Sequence, residues 1–106
     1  MGTNYFCFEK NIGKKHIGKL SCKWTFLFHG YDEYGFKIKS YDEWKNFLLM
    51  NEAKICDECE DDIDINDFLA LVENSLSQSN KRHVISEGAK GWYDKDGFLF
   101  LDNYFS

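Results

Sequence analysis

The stretch from Lys23 to His29 reads KWTFLFH, and its alternation constrains the fold more than any other feature of the chain. Trp24, Phe26 and Phe28 fall on one side of an extended segment, and Thr25, Leu27 and His29 fall on the other. Three aromatic rings along one face must be taken out of water, so this strand belongs to a sheet with a covered face. Leu27 adds an apolar member to the second face, which predicts partial cover there too.

The cover is legible further on. Ser40 and Glu43 form an S-x-x-E capping box, in which each side chain satisfies a free backbone N–H at a helix start. Tyr41, Trp44, Phe47 and Leu48 then follow at helical spacing and form one apolar stripe. A second helix is predicted from about Ile65 to Ser77, with Ile65, Phe68, Leu69, Val72 and Leu76 inward and Asp64 and Asp67 near its positive end. Tyr5–Phe8 reads as a strand, and His16–Leu20 as a short one in which Gly18 marks a bulge or a close backbone approach. HGYDEYGFK reads as a turn-rich connection with a short strand over Phe36–Lys39, and Lys54–Cys56 as a brief extended segment. SQSNKRH reads as an exposed loop, and Trp92-Tyr93 and Phe98–Leu101 flank Asp94-Lys95-Asp96-Gly97 as a hairpin. With 43% hydrophobic residues and no proline in 106, residues 1–106 are expected to form one compact α+β domain. Its architecture is expected to be an antiparallel sheet with two helices packed on one face.

Charge is unevenly spread. Residues 1–30 carry +4, residues 31–78 carry −9, and the rest are balanced, for a net charge of −5. Such a bipolar surface steers charged partners, but it lacks the basic excess of most nucleic-acid binders. The opening MGTNYFCFEKN has neither the basic start nor the apolar core of a secretory signal, and no run approaches about 18 apolar residues. The expectation is a cytoplasmic chain with no membrane partner, whose Cys7, Cys22, Cys56 and Cys59 are thiols.

Several motifs fail on inspection. His16-Ile17-Gly18-Lys19 is like the HIGH element of class I aminoacyl-tRNA synthetases, but that element needs a helix start inside a far longer nucleotide-binding fold. Cys56 and Cys59 would need two further ligands for zinc, and no second C-x-x-C exists. Asp62 to Glu73 fills several positions of a calcium loop with oxygens, yet Asp67 stands where the turn needs glycine and an apolar helix begins inside it. Cys22, with Lys19 and Lys23 beside it and His16 and His29 near in sequence, has the composition of a thiol nucleophile without a defined geometry. No metal, cofactor or catalytic set is assigned.

Two groups of candidate binding residues are left. His16, Gly18, Lys19 and Ser21 could meet one anionic group, with glycine permitting close approach. Asp57, Glu58, Asp61 and Asp62 form an acidic turn suited to a basic partner. Met1-Gly2-Thr3-Asn4-Tyr5, His16-Ile17-Gly18-Lys19-x-Ser21-x-x-Trp24-x-Phe26 and Asp42-x-Trp44-Lys45 together resemble a family of small uncharacterised phage-encoded proteins. Its members open MGTNYY, carry HIGKSS-x-G-W-x-F, and have an aspartate-glutamate turn before a second helix, as at Asp57-Glu58. Many relatives hold a C-x-x-C before HIGK, where this chain has only Cys7, and they lack cysteines at the turn. The resemblance implies a phage product acting in the bacterial cytoplasm. The function expected is a non-enzymatic accessory protein that binds a host protein, in host takeover or anti-defence. The alternative is a nucleic-acid or nucleotide binder using Lys14, Lys15, His16, Lys19 and Lys23 of a Lys-rich HIGK loop. The sequence is silent on oligomeric state.

Overall fold

The computed structural model describes residues 2–21, 24–78 and 91–102. Strands β1 (Gly2–Glu9) and β2 (Gly13–Ser21) form a long antiparallel hairpin. Its turn is closed by the Ile12 N–H donating to the Glu9 carbonyl at 3.1 Å, and Gly13 supplies the positive φ of 76°. Then come β3 (Leu27–His29), a small hairpin of β4 (Tyr31–Glu33) and β5 (Phe36–Ile38), helix α1 (Tyr41–Met50), β6 (Lys54–Asp57) and β7 (Asp62–Ile63). Helix α2 (Ile65–Gln78), β8 (Gly91–Tyr93) and β9 (Leu99–Leu101) complete the described elements. Seven strands make one sheet in the order β7-β6-β1-β2-β3-β9-β8, while β4 and β5 pair separately.

The class is α+β, as the order of elements predicts, with one departure: β3 and β9 run parallel. Strand register assigns the faces, because directly opposed residues share a side. Tyr5, Gly18, Phe28, Phe100 and Trp92 form one continuous row. Tyr5 meets Phe68 of α2 and Phe28 meets Tyr41 of α1, so both helices lie on this face. Phe28 stacks on Phe100 at 4.9 Å and meets Phe98 edge-on, and Phe26, Phe28, Phe68, Phe98 and Phe100 are essentially inaccessible. Each such side chain contributes roughly 1.5–3 kcal/mol by burial, so this aromatic layer dominates the stability of the fold.

Local chemistry explains the helix starts. Ser40 Oγ accepts from the Glu43 N–H as expected, but Glu43 reaches back to the Lys39 N–H at 2.6 Å, one residue before the cap. Asp64 Oδ2 accepts from the Asn66 and Asp67 N–H groups and starts α2. Asp94 closes the β8–β9 turn by accepting from Asp96 and Phe98, and its other oxygen takes the Tyr41 N–H at 2.8 Å.

The expected strand over Lys23–His29 needs correction. Regular pairing covers only Leu27–His29, and Lys23 lies outside the described residues. The Trp24 N–H turns back to the Ser21 carbonyl, and the Phe26 N–H leaves the ladder to donate to Ser75 Oγ on α2 at 3.0 Å. Side-chain partners from a distant helix outcompete strand pairing there. The predicted loop SQSNKRH begins inside α2, and its part beyond Gln78 lies outside the described residues. No helix among the described residues is long and apolar enough to cross a membrane.

Candidate functional site

The strand expected over His16–Leu20 is present within β2, so the Lys-rich HIGK segment is not a loop, and a bulge decides where its side chains point. Tyr5 opposes Gly18 while Phe6 opposes His16, so Ile17 is an extra residue on β2. Simple alternation would place His16 and Gly18 on one face. The bulge separates them instead. Gly18 joins the helix face, where a Cβ would collide with the Phe26 ring and the Leu27 carbonyl. Its missing side chain is thus filled by the protein's own core. His16 goes to the opposite face with Lys19, which opposes Asn4, and Ser21, which opposes Gly2. Three of the four residues in the first candidate group therefore share a face, and Gly18 does not.

His16 meets His29 edge-on at 5.7 Å between ring centres, and both are buried. His16 Nε2 lies 2.9 Å from Asn4 Oδ1, an oxygen that only accepts, so the proton sits on Nε2. His29 Nδ1 donates to the Gly30 carbonyl at 2.8 Å, which fixes the opposite tautomer. Burial, reinforced by the neighbouring His29, lowers the His16 pKa to about 4, and burial lowers that of His29 as well. Both rings are therefore neutral at neutral pH. With Phe6, Lys14, Lys15 and Tyr31 they line a shallow depression of about 440 Å³. The Tyr31 hydroxyl donates to the His16 carbonyl at 2.9 Å, and the ring stacks on His29. Lys15 is 2.9 Å from Glu33 Oε1, so its charge is already matched. Lys14 extends over Phe6, 4.6 Å from the ring centre.

The acidic turn is built by its own side chains. Asp57 Oδ1 accepts from the Cys59 and Asp61 N–H groups, and Glu60 adopts a positive φ of 64° between them. Glu58 folds back onto β1, where Oε1 accepts from the Asn4 backbone N–H at 2.7 Å and from its amide at 3.2 Å. Asp61 and Asp62 are exposed, with Asp62 3.3 Å from Lys54 Nζ. Asn4 thus joins the two candidate groups: Glu58 binds one end of it and His16 the other. Neither Asn4 nor Tyr31 could be found by sequence reasoning, since their link to His16 runs through strand register and a bulge.

The other motifs resolve as structure. Cys7 is fully buried, and burial raises its pKa to about 12, so it is a thiol. Cys56 opposes Phe6 and Cys59 lies on the acidic turn, while Cys22 lies outside the described residues. Among the described residues no three His, Cys, Asp or Glu side chains are arranged to hold a metal ion. Glu73 of the calcium-like stretch accepts from the Tyr41 hydroxyl at 2.6 Å and sits 3.6 Å from Lys45. Compared with protein-family models, curated proteins and solved structures, the chain matches none.

Proposed function

We propose that this chain is a non-enzymatic binding protein whose acidic sheet edge docks on a basic surface of a host protein. The observation that supports this reading is the edge itself. Strand β7 is outermost in the sheet, and residues 57–67 around it carry seven acids and no lysine or arginine. Asp57 and Glu58 spend their carboxylates on holding the turn, which preorganises Glu60, Asp61, Asp62, Asp64 and Asp67 at the surface. A rigid acidic rim of this kind favours fast, salt-sensitive association with a basic partner. The phage resemblance supplies the setting, the bacterial cytoplasm, and the roles of host takeover or anti-defence.

The test is capture from bacterial lysate with the tagged chain and with a variant carrying Glu60→Gln, Asp61→Asn and Asp62→Asn. The expected result is one stoichiometric basic protein retained by the native chain and lost with the variant. Recovery of no such partner, or equal recovery by both, overturns the reading.

A further inference from the structure

The sheet has a second face, and among the described residues no helix covers it. Its surface near the β1–β2 hairpin follows from register. Lys54 opposes Phe8 on one side and Lys14 opposes Phe8 on the other, so one row reads Lys54, Phe8, Lys14. The next row reads Cys56, Phe6, His16. Phe8 is 54% exposed, which is unusual for a phenylalanine in the middle of a sheet. Phe6 and Phe8 are two residues apart on one strand, which places them about 7 Å apart on the same side. Lys14 and Lys54 are both exposed, and Lys10 is exposed at the adjoining turn.

We propose that a single-stranded nucleic acid binds across this face, with a base stacked on Phe8 and backbone phosphates held by Lys14 and Lys10 of the β1–β2 hairpin, Lys54 being matched already by Asp62 at 3.3 Å. An open aromatic ring beside exposed lysines matches the two things a single strand offers, a flat base and a charged backbone. A duplex hides its base faces and would use only the lysines. A lipid surface would need more apolar area than one exposed ring. The acidic turn borders this face and confines a polyanion to the lysine side. This site shares only Lys14 with the Lys-rich set suggested by sequence, because Lys15 is matched by Glu33 and Gly18 faces the core. It stands independently of the acidic-edge reading.

The experiment is fluorescence anisotropy with a labelled, mixed-sequence single-stranded oligonucleotide of about a dozen nucleotides, a length within the usual site sizes. Binding is expected to saturate and to weaken between about 50 and 200 mM salt. Phe8→Ala should weaken it about 5- to 150-fold, while Phe8→Trp should keep binding and show quenched emission on titration. Lys14→Ala should weaken binding and lower the salt slope by about 0.7. Lys37→Ala, on the separate β4–β5 hairpin, should change nothing. Melting of each variant shows whether it is folded. The proposal is overturned by no binding at low salt, by Phe8→Ala binding as well as the native chain, by a duplex binding equally well, or by anionic vesicles binding where the oligonucleotide does not.

Discussion

The two faces of the sheet are built from the same strands and obey different chemistry. On the helix face, the row through Tyr5, Gly18, Phe28 and Phe100 is aromatic, dry and closed by Phe68 and Tyr41. On the other, the row through Cys56, Phe6 and His16 sits beside Asn4, Lys14 and Lys54, and its ring contacts, Phe6 with His16 and His16 with His29, are mixed with polar bonds. The faces differ because one extra residue, Ile17, changes the phase of β2 between His16 and Gly18. A single bulge thus turns a buried histidine to the second face and a glycine to the helix face. Most of the stability should reside on the first face, and the proposed oligonucleotide binding on the second.

The largest effect expected to expose that division is Phe28→Ala. Phe28 is fully buried and touches Phe26, Tyr41, Phe98 and Phe100. Its truncation should cost about 3–5 kcal/mol in urea unfolding, whereas Phe8→Ala on the open face should cost less than about 1 kcal/mol. Equal losses would mean the second face is also core.

Acid should strike the second face first. The folded pKa of His16 is depressed to about 4, against about 6.5 in an unfolded chain, and that of His29 is depressed in the same direction. Between those values the unfolded chain holds a proton that the folded chain does not. Stability is therefore fully present above pH 6.5 and falls as the pH drops toward 4, by up to about 3 kcal/mol for His16. Urea midpoints followed from pH 7 to pH 4.5 should show this decline, and His16→Gln should flatten it. An unchanged slope in that variant would remove His16 as the source.

What the sequence makes legible is what rests on neighbouring residues. Ser40 and Asp64 mark the helix starts through their own side chains, and Asp94 with Gly97 marks the last hairpin. The acidic turn is visible as composition, though not that Asp57 and Glu58 would be spent on bonding it. What stays hidden depends on distant partners. The Phe26 N–H is drawn off by Ser75, 49 residues away, which shortens the strand that the alternation of aromatics predicts. Parallel pairing of β3 with β9 depends on where the chain returns after α2. Asn4 gains its role only when Glu58 and His16 are brought to its two ends.

The smallest of the three effects bears on Gly18, the residue whose meaning changed most between sequence and structure. Glycine beside His16 and Lys19 reads as a place where a ligand approaches the backbone, but here the approaching groups are Phe26 and Leu27. Gly18→Ala should therefore destabilise the fold by about 1–3 kcal/mol, as overpacking does in a filled core. Combining it with Phe26→Leu should recover only part of the loss, because the Leu27 carbonyl is backbone and cannot give way. A double-mutant cycle in urea measures that coupling. If Gly18→Ala were neutral in stability yet abolished oligonucleotide binding, the glycine would belong to the binding face, and the division drawn by the Ile17 bulge would fail.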